Sequence, residues 1–461
     1  MQLWKVFLNS FDPVTKVLHI PSTEKILFTA LDRPHDAAPD TQALLFAIYF
    51  AAVSTMLSAD VMNMLNQDKR SALISYKQAL EQSLSRANFL ESPNVRLLQA
   101  MSIYLICLRL YNTGRAIWML GGLVIRAAQS IGLHRDGSKF KLSPFDIEMR
   151  RRLWWTLCGL DSRGGEDQGI YLSYPVPNCD TRLPLNVDDR DLSPDMKQLP
   201  AERTGWTEMT LVLIIMKVIK HAYGTDTVPF NAEHTDKSPL QAMDDCIKHI
   251  EADFLSHCDE NIPMQRATVL CGRLVSQKVR FVVQQRSQKS QDDVHESLSQ
   301  AEDTLLSVCG ILEKMLQWRQ DELLQDHRWL CNSYTQFHLL TYVLCQLASK
   351  PQGPHNERAW SIISTLFEDM DGQKTTHFVG TKPMLLRLLW EKASMARQQA
   401  QTMTDSHGQS SKPEGHQLMD TIVGDHVQVD GLNFYHTTNW DIGDMSFAEW
   451  SDFIGSVDMY V

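Results

Sequence analysis

Closely spaced cysteine pairs are missing from this sequence. Nine cysteines are scattered through 461 residues, and no CxxC spacing occurs among them. Thiols that lie far apart in apolar segments are typical of reduced, buried side chains in an intracellular protein, rather than of zinc ligands or disulfides. The sequence therefore predicts no metal site and no other cofactor in this chain.

The short motifs of common enzyme classes are also missing. No GxSxG, P-loop, HExxH or GxGxxG sequence occurs. His134-Arg135-Asp136 has the letters of a protein-kinase catalytic loop, but Lys141 stands where that loop has the asparagine that binds magnesium. The sequence therefore predicts no catalytic residue and a protein that is not an enzyme.

An excess of positive charge is likewise absent. The chain has 44 Lys and Arg against 55 Asp and Glu, with a formal net charge of −11. This balance argues against a broad nucleic-acid-binding face. The densest basic run is Arg150-Arg151-Arg152, and three consecutive side chains on a helix point in three directions, so they cannot follow one phosphate track. No DNA-binding residue can be assigned.

Long uncharged stretches occur twice, at 41–59 and 329–349. The second is interrupted by polar residues such as Asn332 and Gln336, which a lipid-facing helix carries only at a cost, and the first lacks interfacial basic anchors. Both are predicted to be buried helices of a bundle, the second within one helix from 328 to 349. No membrane partner is expected.

Strand-like alternation is almost absent, and helical spacing dominates, so the sequence predicts an all-α protein with a large multi-helix domain. We expect three parts: a helical regulatory domain over 1–400, a disordered linker over 401–430, and an acidic–aromatic C-terminal tail over 431–461. The tail has no Lys or Arg, and its aromatic side chains are predicted to bind a partner. The alternative is that the tail docks on the domain as a C-terminal helix.

Local signals place several helix ends. Ser92-Pro93 and Ser238-Pro239 each predict a helix start, whereas Pro21 is placed in an irregular opening segment. A helix predicted over 239–258 puts His249, Asp253 and His257 on one face. That spacing can bind a metal, but a solvated polar stripe is the favoured interpretation because no fourth ligand has motif spacing.

The stretch Gly114–Gly169 has the strongest helical periodicity. It predicts two helices joined by a short charged loop, with Gly132 ending the first and Ser143-Pro144 beginning the second. Gly121-Gly122 inside the first helix predicts close packing against another helix. Asp161, Glu166 and Asp167 near the end of the second are expected to be ion-paired, with Arg163 and Arg150 to Arg152 nearby, rather than to form an acid–base site.

This stretch resembles the fungal-specific transcription factor domain, the helical middle region of binuclear-zinc-cluster regulators. The resemblance is carried by Ile125 to Ala128, Gly132 to Asp136, Glu148 to Trp155 and Asp161 to Arg163, and it extends to Leu3 to Phe7, Asp12 to Pro21, Ala43 to Tyr49, Thr181 to Asp189 and Thr207 to Thr210. The zinc cluster of that family is absent from these 461 residues, so none of the nine cysteines is expected to bind zinc.

The resemblance implies a nuclear regulator of transcription by RNA polymerase II, controlling a metabolic or secondary-metabolite biosynthetic gene set. Implied partners are the transcription machinery or co-regulators, and a homodimer or heterodimer with a zinc-cluster regulator. DNA is expected to be contacted only indirectly or through a further N-terminal module. Two alternatives remain: a modulator without its own zinc finger that pairs with a full-length regulator, and a small-molecule-binding helical domain.

Two groups of residues follow from this interpretation. The motif residues are expected to form a structural hub, its charged members paired with one another rather than with DNA: Arg126, His134, Arg135, Asp136, Arg150, Arg151, Arg152, Trp154, Trp155 and Asp161. The tail is expected to be an activation segment, recruiting partners through Trp440, Phe447, Trp450 and Phe453.

Overall fold

The computed structural model describes residues 1–111, 114–167, 179–222, 238–289, 298–333, 336–372 and 381–407. These residues contain α-helices, short 3-10 and π turns and irregular segments, and no strand among them. The prediction of an all-α fold is confirmed. The predicted activation residues lie outside the described part of the chain.

Sixteen α-helices run through the described residues. They are α1 Gln2–Val6, α2 Ile20–Asp32, α3 Pro39–Thr55, α4 Ser58–Leu65, α5 Lys69–Arg86, α6 Val95–Leu108, α7 Arg115–Ser130, α8 Pro144–Asp167, α9 Thr210–Ala222, α10 Pro239–Asp253, α11 Pro263–Lys289, α12 Leu298–Gln320, α13 Arg328–Ser333, α14 Phe337–Ser349, α15 Asn356–Gly372 and α16 Thr381–His407. Helix α16 therefore extends into the segment predicted as a linker.

Helix α3 lies at the centre of the N-terminal half. It is apolar on nearly every side and packs against α5 and α6, and α1 covers it as well. A helix that is hydrophobic all round must be buried on every face, which explains why three helices surround it. Within the described residues, helices long and apolar enough to span a bilayer are not found.

The first eleven residues pack against a helix that is distant in the sequence. Helix α1 continues as a π-helical turn over Phe7–Phe11. The rings of Trp4, Phe7 and Phe11 stack in succession, and Phe11 stacks in turn on Trp329 of α13 with ring centroids 5.3 Å apart. The Nε1 of Trp329 donates to the carbonyl of Ser10 at 3.0 Å. The N-terminal segment is thus sealed by a helix more than three hundred residues away.

Several predicted helix ends are confirmed. Gly132 has φ +75°, a conformation that glycine adopts without strain, and it follows the end of α7. Ser143 Oγ accepts a hydrogen bond from the backbone N–H of Asp146 at 3.1 Å, so it caps α8. Ser238 and Gln241 form the reciprocal capping box that opens α10.

One predicted helix start is wrong, and another helix start was missed. Asn94, not Ser92-Pro93, caps α6, because its side chain accepts from the backbone N–H of Leu97 at 3.0 Å. Pro21 lies in the first turn of α2 rather than in an irregular segment. The first-turn N–H groups of a helix have no intrahelical partner, so proline is tolerated there, and the sequence interpretation missed this use of it.

Two predicted helices are too long. The helix expected over 328–349 is divided, since α13 ends at Ser333 and Gln336 has non-helical angles of φ −80° and ψ 55° before α14 begins. Helix α10 ends at Asp253, and His257 lies in a separate 3-10 turn. His249, Asp253 and His257 therefore do not share one helical face.

Candidate functional site

The motif residues converge where the loop 179–209 crosses α8. The elbow, residues 131–143 between α7 and α8, lies on one side of this loop. The N-terminal segment, here residues 12–19 before α2, lies on the other side. Charged side chains from these elements form two groups. We call the first the inner cluster (Asp12, Lys16, Glu148, Arg152, Asp189 and Glu208) and the second the elbow cluster (Arg135, Asp136, Lys139, Arg151 and Asp180).

Arg152 is the centre of the inner cluster. Its side chain has 0% exposure, its Nη1 donates to Asp189 Oδ1 at 2.6 Å, and its Nε donates to Glu148 Oε1 at 3.4 Å. Glu148 lies one helical turn earlier on α8 and also accepts from the backbone N–H of Leu185. One arginine and one glutamate of α8 therefore hold both the side chain of Asp189 and the backbone of the loop.

Lys16 is the second cation of the inner cluster. Its Nζ donates to Asp12 at 2.9 Å, to Asp189 at 3.1 Å and to Glu208 at 3.1 Å. Asp189 also accepts from the backbone N–H of Ile20, where α2 begins. Because Asp189 contacts both Lys16 and Arg152, it links the N-terminal segment to α8.

The inner cluster contains more carboxylates than cations. It has four carboxyl groups and two positive charges, and the pKa values of Asp12 and Asp189 are shifted in opposite directions. Burial raises the pKa of Asp12 to about 6, although Lys16 opposes the shift. Burial also acts to raise the pKa of Asp189, but Arg152 and Lys16 outweigh it and bring the value down to about 2. Burial raises the pKa of Glu148 as well. Asp12 and Glu148 are thus carboxyl groups of the inner cluster that bind a proton more readily than usual.

The elbow cluster is built around two aspartates. Arg151 donates through Nε and Nη2 to both carboxylate oxygens of Asp136, at 2.8 and 2.9 Å, and both side chains are buried. Asp180 accepts from Arg135 Nε at 3.0 Å and pairs with Lys139 near the surface. A forked guanidinium pair of this kind fixes position as well as charge.

Backbone contacts attach the loop to the elbow. Asp136 accepts from the backbone N–H of Arg182 at 2.9 Å, and Asp180 accepts from the backbone N–H of Asp136 at 2.7 Å. Thr181 Oγ1 donates to the carbonyl of Leu133 at 2.8 Å. Burial acts to raise the pKa of Asp136, but Arg151 and Ser138 overcome it, and the pKa is lowered. Hydrogen bonds from the elbow and the loop keep both aspartates ionised.

The three consecutive arginines point in three directions. Arg150 Nη2 donates to the carbonyl of Ile131 at 2.6 Å, just beyond the end of α7, while Arg151 reaches Asp136 and Arg152 reaches Asp189. Each guanidinium is engaged inside the protein. A continuous phosphate backbone therefore has no row of arginines to follow here.

The aromatic motif residues are buried beside these clusters. Trp154 has 0% exposure and lies 6.3 Å from the ring of His134, measured between centroids. Trp155 is also buried, and its Nε1 donates to the carbonyl of Arg182 at 2.9 Å. Both indoles are inaccessible to a stacked base.

Arg126 and Asp161 are not brought into the network, and His134 and Arg150 make no ion pair with a described residue either: Arg150 donates to the carbonyl of Ile131, and His134 lies beside Trp154. Arg126 is exposed on α7, and neither Arg126 nor Asp161 makes an ion pair with any described residue. The pairing predicted for these two is therefore not found in the described part of the chain. A helical pattern shows which side chains share a face, but not whether another element covers that face. Arg126 lies on a face of α7 that no described element covers.

The sequence interpretation missed the members of the two clusters that lie outside the stretch Gly114–Gly169. Asp180, Asp189 and Glu208 come from the loop, and Lys16 with Asp12 comes from the N-terminal segment. Only the i, i+4 spacings of Asp12 with Lys16 and of Glu148 with Arg152 were visible as local signals. The longer contacts have no signature in the order of residues.

A third group of charges joins α8 to the C-terminal helices. Glu166 pairs with Lys278 of α11, and its Oε1 lies 3.1 Å from Nδ1 of His338 on α14. Asp167 accepts from Arg109 Nε at 3.1 Å. Glu166 and Asp167 are ion-paired as expected, but with distant helices as well as with Arg163, which is 3.7 Å from Glu166.

Burial lowers the pKa of Lys278 to about 8, against the pull of Glu166. Lysine and glutamate remain oppositely charged at neutral pH. Across the described residues, groups of three or more His, Cys, Asp or Glu side chains able to hold a metal ion are not found.

Comparison with known proteins identifies this region. Residues 4–194 match the family model of the fungal specific transcription factor domain. The matched segment includes the whole elbow cluster and every member of the inner cluster except Glu208. The resemblance seen in the motif residues is confirmed.

Similarity to individual proteins extends beyond the family segment. The chain is 28% identical over 378 residues to the aurofusarin cluster transcription factor aurR2 of Gibberella zeae, covering 80% of this chain and 56% of the relative. It is 30% identical over 381 residues to the pyriculol/pyriculariol biosynthesis cluster transcription factor 1 of Pyricularia oryzae, covering 79% and 50%. The chain thus spans about half the length of these relatives.

Proposed function

We propose that this protein is a nuclear regulator of transcription by RNA polymerase II that controls a secondary-metabolite biosynthetic gene set, and that it is not an enzyme. The observation that carries the proposal is the alignment of about four fifths of the chain with proteins named as transcription factors of biosynthetic clusters. DNA would be reached through a zinc-cluster module outside these residues or through a zinc-cluster partner.

Deletion of the gene in the producing fungus tests this function. We expect transcripts of one biosynthetic gene set to fall, and the wild-type gene to restore them. Equal transcript levels in deletion and parent strains, under conditions where the parent makes the protein, would contradict the proposal.

For the motif residues, we propose a structural role as a hub. The inner and elbow clusters hold the loop 179–209 between α8, the elbow and the N-terminal segment. This role is supported by the complete burial of Arg152, which a DNA phosphate or a partner protein could reach only by opening the fold. The helical unit predicted over 1–400 belongs to the same proposal, with its last helix, α16, continuing to His407.

For residues 431–461, we propose an activation segment that binds the transcription machinery or a co-regulator. Fusion of this segment to a heterologous DNA-binding domain should activate a reporter gene. The matched control carries alanine at Trp440, Phe447, Trp450 and Phe453, and should be silent at equal expression. Equal activity of both fusions would reject the role of the aromatic residues.

A modulator that pairs with a full-length zinc-cluster regulator is the second candidate. It predicts that the protein purified from the fungus carries such a regulator in stoichiometric amount. Recovery of this chain as a monomer or homodimer that binds its promoter unaided would exclude this candidate.

A further inference from the structure

Helix α7 has one face that no described element covers. Its inner face packs on α8 and α6, whereas Arg115, Met119 and Arg126 are exposed. These three positions, together with Gly122, follow one another at intervals of three or four residues, so they form a single stripe along the helix. We call this stripe the α7 face.

Gly122 leaves an opening in the middle of that face. A β-carbon added at this position would meet nothing within 4 Å, and Gly122 does not have a positive φ. A glycine inside a helix costs up to about 1 kcal/mol relative to alanine. The packing predicted for the glycine pair is found for Gly121, next to Asp161, but not for Gly122. Nothing among the described residues uses the space at Gly122.

The α7 face has an exposed apolar side chain, and its charged side chains are all basic. Met119 is 39% exposed, and Trp118 beside it is partly exposed. Among the described α-helices that expose a large apolar side chain, α7 is the one whose sequence contains no Asp or Glu. Such a surface attracts an apolar ligand of negative charge.

We propose that the α7 face is the docking site of this chain's own C-terminal segment, residues 431–461. That segment has five acidic residues and no Lys or Arg, and so matches the face in charge. Phe447, Trp450 and Ile454 fall at i, i+3 and i+7, the spacing of anchors that enter a groove from one side of a bound helix.

The remaining chain is long enough to reach the α7 face. The described residues end at His407, so 24 peptide units separate this residue from Gly431. They can span at most about 80 Å, well over the diameter of a domain of this size. A second copy of the chain fits less well, because two α7 faces would bring Arg115 and Arg126 against the same arginines. This docking is independent of the regulatory role proposed above.

Hydrogen–deuterium exchange of the full chain provides the test. We compare the wild type with a variant that has alanine at Trp440, Phe447, Trp450 and Phe453. If the docked form is favoured ten to one, amides in 115–130 that exchange only after undocking should exchange about tenfold faster in the variant. Exchange in α3, which lies in the core, should not differ.

A charge variant tests the other side of the contact. Arg115→Glu with Arg126→Glu should produce the same tenfold faster exchange in α7 while the tail is intact. The variant should fold as the wild type does, because both side chains are exposed and Arg115 is the first helical residue, where a negative charge is favourable. Arg86→Glu, at an exposed arginine of α5, is the matched control and should leave exchange in α7 unchanged.

Two results would overturn the proposal. One is equal exchange in α7 with and without the four aromatic residues. The other is protection of α7 that increases with protein concentration, because an intramolecular contact does not depend on concentration and a second copy would then be the occupant. Circular dichroism of each variant confirms that the helical content is retained.

Discussion

The inner and elbow clusters hold the same loop with opposite charge balances. The inner cluster has four carboxylates and two cations, whereas the elbow cluster has two carboxylates and three cations. In the elbow cluster both aspartates have lowered pKa values, while in the inner cluster the pKa of Asp12 is raised. The raised pKa of Asp12 comes mainly from burial, to which the neighbouring carboxyl groups of Asp189 and Glu208 add. In the elbow cluster, hydrogen bonds to the two aspartates overcome the effect of burial and lower their pKa values.

The largest effect is expected from removing the central cation. Arg152→Met leaves Asp189 and Glu148 buried near each other with one positive charge fewer, and breaking a buried pair in this way costs about 3 to 5 kcal/mol. Urea denaturation measures the loss. The control is Arg126→Met, an exposed arginine outside the clusters, which should change the unfolding free energy by less than about 0.5 kcal/mol. Equal stability of both variants would refute the hub.

A pH experiment separates the two clusters. The folded pKa of Asp12, about 6, lies above its ordinary value of 3.8, so its protonated form is favoured in the fold. Its ionisation then lowers stability as the pH rises from about 4 to 6. Asp12→Asn removes this penalty. The unfolding free energy of the variant minus that of the wild type should therefore be about 2 to 3 kcal/mol more favourable at pH 7 than at pH 4.

The measurement is the unfolding free energy of the wild type and of each variant over a pH series from about 7 down to about 2. Asp180→Asn in the elbow cluster should show the opposite sign, since the pKa of Asp180 is lowered and its ionised form stabilises the fold. That contribution is present above the ordinary pKa of 3.8 and disappears as the pH falls below it. A parallel pH response of the two variants would contradict the contrast between the clusters.

The smallest effect is expected at the surface of the elbow cluster. Lys139 is largely exposed, and Asp180 keeps a second partner in Arg135. Lys139→Met should therefore cost less than about 1 kcal/mol, and part of that should vanish in 0.5 M salt because exposed pairs are screened. A loss as large as that of Arg152→Met would mean that burial does not set the importance of these charges.

The helices with local end signals were predictable, and the contacts between elements were not. The helix ends at Ser143, Gly132 and Ser238 depend on contacts or backbone angles within a few residues. Local sequence patterns therefore predict them. Lys16 and Asp189 meet across 173 positions, and no spacing rule encodes such a contact. The family resemblance indicated which segments matter, but not that Arg126 is exposed while Arg152 is buried.

The stacking of Phe11 on Trp329 has a consequence for biosynthesis. Ser10 and Trp329 are 319 positions apart, and synthesis at about 5 to 20 residues per second separates their appearance by about 15 to 60 s. For that time Phe11 lacks the ring on which it stacks, and during the last part of it, about 7 to 27 s, the family segment up to 194 has already been made. Nascent chains of this protein should therefore depend on chaperones until the thirteenth helix emerges from the ribosome.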